Sequence, residues 1–225
     1  MRSRILIIVA LCWLQPAAAE KSVSEQRLNS ICQDDQKVVE IKVHLPRGAH
    51  HQTKTGGDHW LRRQFDEANR LFLPIGLCFF RGSVHHFDRV DSHVKTRRQR
   101  TRMGREHARL ESGAINLFIV DRLDDIDIPG EQIRGVHWRD PKARMRKRWI
   151  FLSRIAGVMV LAHELGHYFS LPHSKEVVSL MNKTKRTYPP ISDRRFSAKE
   201  LKIMANYSAH LFEKKALRDH REGQR

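Results

Sequence analysis

The segment Leu161-Ala-His-Glu-Leu-Gly-His-Tyr-Phe-Ser-Leu-Pro-His173 places three histidines and one glutamate close together. His163 and His167 are four positions apart, so on an α-helix they share one face and lie roughly 6 Å apart along the axis. That spacing lets two imidazoles reach one metal ion, and Glu164 stands beside the first of them without having to bind the metal. The segment therefore predicts a helix that carries a metal site with its own general base.

The third histidine, His173, can join this site only if the helix ends before it. Six further helical residues would place its side chain roughly 9 Å along the axis and on another face. Pro172 lacks an N–H group, and its ring disfavours a helical conformation for the residue before it. We therefore expect the chain to turn back after His167, so that His163, His167 and His173 bind one Zn²⁺ through neutral imidazole nitrogens.

The full pattern, His-Glu-x-x-His-x-x-Ser-x-x-His followed by Ser-Leu-Met-Asn around Met181, resembles the metzincin clan of zinc endopeptidases. Leu-Ala-His-Glu-Leu-Gly-His with Leu-Pro-His-Ser is most similar to the pappalysin (cytophagalysin-like) and matrixin branches. The resemblance implies that Met181 is the structural methionine of a Met-turn beneath the metal. The clan has glycine where this chain has Ser170, and the left-handed conformation expected there costs a residue with a Cβ atom about 1–2 kcal/mol.

The same resemblance implies that the substrate lies extended along an edge strand above the cleft, which we place at Gly135-Val-His-Trp138. Trp138 as an ordinary core residue is an equal alternative. Astacin-like and serralysin-like metzincins carry a tyrosine two residues after the Met-turn methionine, whereas this chain has Lys183 there. Further along, Tyr188 is a candidate for stabilising an oxyanion, against the alternative of a structural tyrosine.

The N-terminal residues indicate a secretory signal peptide. A positively charged start, Met1-Arg-Ser-Arg4, precedes an apolar run at 5–14, and Ala17-Ala-Ala19 offers a small-residue cleavage site. We expect residues 1–19 to be removed near Ala19, and residues 20–225 to form one metzincin-like catalytic domain that is secreted or periplasmic. No transmembrane segment is expected in the mature chain, and an uncleaved anchor is the alternative.

Two cysteines, Cys32 and Cys78, follow the predicted cleavage site, and an oxidising compartment favours a disulfide between them. The alternative is that Cys32 is a thiolate ligand that keeps the zinc latent, as in the cysteine switches of some metzincins. A disulfide would lose stability on reduction, whereas a switch would gain activity on thiol modification.

Hydrophobic periodicity predicts the remaining elements. Strands are expected at residues 38–45, 77–80, 114–120, 134–138 and 149–152. Helices are expected at about residues 58–72 and after the capping box Ser197-Ala-Lys-Glu200. The expected fold is α/β (α+β), a metzincin-like zincin domain with a mixed twisted sheet, a long packing helix, an active-site helix, a Met-turn and a C-terminal helix.

The chain is strongly basic, with 42 Lys+Arg against 25 Asp+Glu, and removal of residues 1–19 leaves 40 against 25, about +15. Two basic runs, Arg97-Arg98-Gln-Arg100-Thr-Arg102 and Lys142-Ala-Arg144-Met-Arg146-Lys-Arg148, favour contact with anionic surfaces. They lack interleaved aromatic residues and a nucleic-acid fold signature, so no specific nucleic-acid binding is expected. Solvated charged faces are the plainer interpretation of both runs.

Weaker metal candidates lie elsewhere in the sequence. The pairs His50-His51 and His85-His86 either hold a second metal or are surface histidines. An acidic loop can bind calcium through carboxylate oxygens, although its spacing matches no EF-hand, and a solvated loop is the alternative; its acidic residues are Asp121, Asp124, Asp125 and Asp127.

Together these motifs predict a secreted zinc endopeptidase that hydrolyses protein or peptide substrates through a zinc-activated water, with Glu164 as general base. Two alternatives stay open. One is a non-catalytic basic protein that binds anionic surfaces and uses zinc only to stabilise its fold. The other is a hydrolase of cell-wall peptides.

Overall fold

The computed structural model describes residues 31–48, 57–108, 113–143, 147–185 and 187–222. The strands in these ranges are β1 (Lys37–Pro46), β2 (Leu77–Phe87), β3 (His93–Val94), β4 (Ile115–Val120), β5 (Arg122–Leu123), β6 (Gly135–Arg139) and β7 (Arg148–Ser153). The α-helices are α1 (Asp58–Phe72), α2 (Arg97–His107), α3 (Val160–Tyr168) and α4 (Ala198–Glu213), and 3-10 turns occur at Leu73–Ile75, Arg89–Ser92 and Ile191–Asp193. In this part of the chain, no helix combines the length and the apolar character that crossing a membrane requires. The predicted signal peptide at 1–19 and the pair His50-His51 lie outside the described residues.

Five strands form one mixed sheet in the order β2-β1-β4-β7-β6. The pairs β1/β2, β1/β4 and β4/β7 are parallel, whereas β6 runs antiparallel to β7 at the edge of the sheet. Strands β3 and β5 form a separate two-stranded parallel sheet. The predicted α/β fold class, with a mixed sheet and packed helices, is confirmed.

Strand β4 is apolar throughout because both of its faces are covered. Successive side chains of a strand point to opposite faces. Accordingly, Ile115, Leu117 and Ile119 belong to a core shared with α1, α3 and α4, while Phe118 and Val120 belong to a second core shared with α2 and β7. A continuous apolar run is typical of a strand with two buried faces.

Helix α1 buries one face and hydrogen-bonds the segment at the start of α3. Its buried residues recur at helical spacing, and they are Trp60, Leu61, Gln64, Phe65, Ala68, Leu71 and Phe72. The buried amide of Gln64 donates to the carbonyl of Gly157 at 2.8 Å and accepts from the N–H of Leu161 at 3.0 Å. Since a buried amide needs such partners, α1 and the first turn of α3 are fixed to each other.

The first basic run lies on helix α2, where Arg97, Arg98 and Arg102 are exposed, as a solvated face predicts, and Arg100 is the exception. A capping box of Thr96 and Gln99 begins the helix, and Arg100 is only 1% exposed. Nη2 of Arg100 donates a hydrogen bond to the carbonyl of Asp124 at 2.7 Å, and the carbonyl of Arg100 accepts one from the Trp149 indole N–H at 3.1 Å. One arginine of this run is therefore part of the interior.

The second basic run also ends inside the protein. Arg148 is buried, donates from Nη1 to the carbonyl of Tyr168 at 3.0 Å, and has its guanidinium 4.7 Å from the centroid of the Tyr168 ring. The ring offers a cation–π contact as well as an apolar surface. Residues 144–146 of the same run lie outside the described residues.

Cys32 and Cys78 form a disulfide with Cα atoms 5.7 Å apart. The bond engages the Cys32 sulfur, so the alternative of a thiolate that ligates zinc does not apply to this structure. Both cysteines are buried with Val38 in a small hydrophobic cluster at the start of β1.

The C-terminal residues close over this same part of β1. Strand β4 pairs with β1 only at residues 41–44, so it does not reach Val38. The Asp219 carboxylate accepts from the Val38 N–H at 3.1 Å, and the His220 N–H donates to the Val38 carbonyl at 2.8 Å. Arg221 donates to the carbonyl of Cys32 at 3.1 Å. The two ends of the described chain are thus bonded to each other.

Candidate metal centre

The three predicted ligand histidines lie together in one cavity. His163 and His167 are one turn apart on α3, and His173 follows the end of that helix. One ligand atom from each lies within 4.8 Å of the others, and the Nε2 atoms of His167 and His173 are 3.3 Å apart. Ligands arranged tetrahedrally around zinc at about 2.0–2.1 Å are about 3.3 Å from one another. Elsewhere in the described ranges, no group of three histidine, cysteine or carboxylate side chains is brought together in this way.

Backbone carbonyls orient two of the imidazoles. Nδ1 of His163 lies 2.9 Å from the carbonyl oxygen of Leu180, and Nδ1 of His167 lies 2.7 Å from that of Leu171. A carbonyl oxygen can only accept, so both Nδ1 atoms donate. In the neutral rings this leaves the Nε2 lone pairs free for a metal.

Burial lowers the pKa of all three histidines. Loss of water is the first cause for His163 and His167, and the neighbouring imidazoles add to it, which brings the pKa of His167 to about 4. Burial also lowers the pKa of His173, and the ammonium of Lys183 lowers it further. The rings are therefore neutral at neutral pH, which is the form that binds a metal.

The turn that brings His173 back to the helix begins at Ser170, whose φ is +77°. The N–H of Leu171 donates to Gly166 O at 2.9 Å, and the N–H of Ser170 donates to His167 O at 3.0 Å. These are the two bonds of a Schellman motif, whose left-handed residue is usually glycine. The strain expected at Ser170 is therefore present in the structure.

Glu164 lines the same cavity on the side of the edge strand β6. Its Oε2 accepts a hydrogen bond from the backbone N–H of His137 at 2.7 Å. Burial raises the pKa of Glu164 to about 8, although that hydrogen bond opposes the shift. A Cβ atom on Gly135 would lie only 3.0 Å from Oε1 of Glu164, so the glycine leaves room for the carboxyl group. The hydrogen bond from β6 therefore holds the carboxyl group at a fixed position beside the ligand histidines.

Met181 is buried against the helix that carries the histidines. A Cβ atom on Gly166 would lie 2.6 Å from its Sδ, so the close approach depends on the glycine. The N–H of Met181 donates to Ser179 Oγ at 3.0 Å, and that hydroxyl donates to Glu200 at 2.7 Å. The capping glutamate of α4 thereby also fixes the loop that carries Met181.

The other candidate residues near the cavity have distinct positions. Trp138 is half-buried on β6, lines the cavity and donates to Thr101 Oγ1 at 3.1 Å, so it is neither a free surface residue nor part of the deep core. Lys183 lines the cavity near His173. Tyr188 is 78% exposed and is not among the side chains that line the cavity, so its placement does not favour an oxyanion role.

The acidic loop and the described histidine pair, His85-His86, contact other protein side chains. Carboxylates of the loop bind basic side chains, in the pairs Asp121–Arg154, Asp124–Arg122 and Asp127–Arg97. Such pairing competes with calcium for the carboxylate oxygens. His85 hydrogen-bonds Ser83 at 3.0 Å and stacks on His44.

The sequence patterns did not predict that Arg100 and His137 line the cavity. Arg100 lines it, with its guanidinium 5.3 Å from the Trp138 ring centroid, and its charge favours the ionised form of Glu164. His137 lines it too, and burial lowers its pKa to about 2. The Thr96/Gln99 capping box was the available signal for α2, and hence for Arg100; nothing in the sequence marked the side chain of His137.

No protein-family model matches this sequence, and no curated protein sequence matches it either. The fold does have solved counterparts. The chain resembles the crystal structure of metalloproteinase-II from Bacteroides fragilis with a TM-score of 0.53 and 11% identity, over 76% of this chain and 53% of that chain. The chain has a metalloproteinase fold. It spans about half the length of that protein, and at this identity the likeness is one of fold.

Proposed function

We propose that the chain is a zinc-dependent endopeptidase in which Glu164 is the general base. The observation that carries the proposal is one cavity that contains three histidine ligand atoms and a carboxylate outside the ligand set. Three neutral nitrogen ligands are typical of a catalytic zinc that keeps one position open. When bound, zinc supplies Lewis acidity, which lowers the pKa of a water molecule and polarises a carbonyl group.

The chain's own residues supply proton transfer and substrate alignment. Glu164 takes the proton of the attacking water and returns it to the nitrogen of the leaving amine. Strand β6 is an edge strand beside the cavity, so an extended substrate can add to it as a further strand. Met181 has a structural role beneath α3.

Zinc content and peptide hydrolysis of matched variants test the proposal. Glu164→Gln should keep stoichiometric zinc and lose hydrolysis of a mixed peptide library by about 10²–10⁴-fold. His163→Ala should lose the metal, and a chelator should inhibit the wild type. Asp66→Asn, an exposed carboxylate on α1, is the control that should keep both properties. Hydrolysis by Glu164→Gln at the wild-type rate would overturn the assignment of the base.

The same measurements separate the rival functions. Stoichiometric zinc without chelator-sensitive cleavage of any peptide would favour a basic binding protein with structural zinc. Cleavage restricted to cross-linked cell-wall peptides would favour the cell-wall hydrolase.

We also propose that residues 1–19 are a signal peptide and that the protein acts outside the cytoplasm. The Cys32–Cys78 disulfide supports this location, because disulfides persist in oxidising compartments.

A further inference from the structure

We propose that a basic groove beside the metal cavity binds an acidic segment of the polypeptide substrate and so directs cleavage to acidic sequences. This inference rests on the proposed endopeptidase function. The groove is lined by six basic side chains and one acidic one, Glu106; the basic side chains are Arg97, Arg98, Arg102, Arg105, Arg139 and Lys142.

The groove is continuous with the metal cavity. Arg97, Trp138 and Arg139 line both. Strand β6 begins at Gly135, beside Glu164, and ends at Arg139, where the groove starts. A polypeptide that extends along β6 therefore passes from the site of proton transfer into the groove.

The groove keeps a net positive charge after its ion pairs and Glu106 are taken into account. Three of its arginines form ion pairs, Arg97–Asp127, Arg102–Asp91 and Arg105–Asp140. The other three cations are exposed and have no ion-pair partner among the described residues; they are Arg98, Arg139 and Lys142. Unneutralised cations lining a concave surface attract carboxylates over several ångströms.

The two walls of the groove are fixed to each other. Arg105 of α2 donates two hydrogen bonds to Asp140, at 2.6 and 2.8 Å, and Asp140 also accepts from the N–H of Lys142 at 3.0 Å. The Asp140 side chain is 1% exposed, and the bond from Arg105 lowers its pKa to about 2, so the pair stays ionised. The cations are therefore presented on a rigid surface, which reduces the entropy lost on binding.

For a substrate that pairs antiparallel to β6, the direction of this strand determines which side of the scissile bond is acidic. The bond from Ser153 N–H to Arg134 O, with the register of β6 on β7, means that the backbone groups of Gly135, His137 and Arg139 point away from β7; of these, the His137 N–H already donates to Glu164 Oε2. A substrate that pairs antiparallel to β6 runs from Arg139 toward Gly135. Residues on the N-terminal side of the scissile bond then occupy the groove.

A polypeptide fits this groove better than the other polyanions do. The groove opens from a strand edge, which pairs with peptide groups and with no part of a nucleic acid or a lipid. Single-stranded nucleic acids bind grooves in which several aromatic side chains stack on bases. Trp138 is the aromatic residue among the described residues that line this groove.

Three fluorogenic peptides with one cleavable centre test the proposal. They carry a block of glutamates on the N-terminal side, the same block on the C-terminal side, or glutamines. For the wild type we expect kcat/KM about tenfold higher with N-terminal glutamates than with glutamines, since each exposed ion pair contributes a few-fold and the effects multiply. The C-terminal block should give no such gain. Adding 0.5 M salt shortens the electrostatic screening length to roughly 4 Å, so it should reduce the gain in kcat/KM that the N-terminal glutamates give.

Charge reversal identifies the residues responsible. The double variant Arg98→Glu/Lys142→Glu should bring the ratio of glutamate to glutamine peptide to one or below. The matched control Arg63→Glu/Lys202→Glu changes the net charge equally on exposed faces of α1 and α4, and should keep the wild-type ratio. Equal turnover of the three peptides by the wild type, or an unchanged ratio in the groove variant, would overturn the proposal.

A binding assay keeps this test separate from that of the endopeptidase function. Fluorescence anisotropy with zinc-loaded Glu164→Gln measures the affinity for the glutamate peptide without turnover. If no peptide is cleaved, but that affinity depends on Arg98 and Lys142, the endopeptidase function fails and the acidic-peptide site stands. If an oligonucleotide or anionic vesicles bind through these residues and the glutamate peptide does not, the proposed ligand is wrong.

Discussion

Replacing Ser170 by glycine should stabilise the protein. Ser170 is exposed, has φ of +77°, and contributes its backbone N–H to the bond with His167 O. Its side chain has no hydrogen-bond partner among the described residues. Ser170→Gly therefore removes the Cβ atom that opposes the left-handed conformation and keeps the backbone bonds of the turn.

The expected gain follows from two opposing terms. A Cβ atom in the left-handed region costs about 1–2 kcal/mol. Glycine loses about 0.5–1 kcal/mol more conformational free energy on folding than alanine does. The net stabilisation is then about 0.5–1 kcal/mol, or a rise in Tm of about 1–4 °C for a chain of this length.

Guanidinium unfolding of the metal-free protein measures this gain, with Ser170→Ala as the control that keeps the Cβ atom. Ser170→Gly should be more stable than both Ser170→Ala and the wild type. The zinc dissociation constant should change by less than about threefold, because the turn has formed in both states. A Ser170→Gly protein no more stable than Ser170→Ala would refute the assignment of strain to this residue.

Three further perturbations have defined outcomes. Gly166→Ala should destabilise the protein by about 1–3 kcal/mol and weaken zinc binding, because the added Cβ would overlap the Met181 sulfur. This effect should outweigh the higher helix propensity of alanine. Thermal unfolding measures the loss of stability, and zinc titration measures the loss of affinity. Asp140→Asn should flatten the pH dependence of the unfolding free energy at low pH. The pKa of Asp140 is about 2 in the folded protein and about 3.9 in the unfolded chain, so the ionised carboxylate stabilises the wild type above pH 4 and this stabilisation is lost toward pH 2. Denaturant unfolding at each pH should show a smaller loss of unfolding free energy in the variant than in the wild type. Replacing Cys32 and Cys78 together by serine should cost up to about 4 kcal/mol of unfolding free energy, since the bridge closes a loop with a sequence separation of 46; no change in guanidinium midpoint would contradict this.

Elements whose apolar residues recur regularly were predictable. The helix expected at residues 58–72 has these bounds in the structure, because one face of α1 is apolar and Pro74 and Gly76 follow it. The grouping of the three histidines was also predictable, since helical spacing and a forced turn place them together. The left-handed conformation of Ser170 was expected from the resemblance, because the metzincin clan has glycine at this position.

Elements stabilised mainly by polar contacts were not predictable. Strand β2 continues to Phe87, beyond the predicted 77–80, and its second half is largely polar because β2 is an edge of the sheet. Helix α2 buries an arginine, a methionine and a glycine, so no hydrophobic period marks it. Helix α2 forms one wall of the basic groove. Its position against the sheet depends on contacts between residues that are far apart in sequence.

The junction of the C-terminal residues with the start of β1 affects the order of folding. Arg221 and Cys32 are separated by 189 residues, so their hydrogen bond can form only after nearly all of the described chain has been synthesised. Contacts of such long sequence separation form late, because closing the loop between them costs entropy before it gains any bond. During synthesis this edge of β1 at Val38 therefore lacks its partners until Asp219 and His220 emerge, and an unpaired strand edge is a site where nascent chains associate.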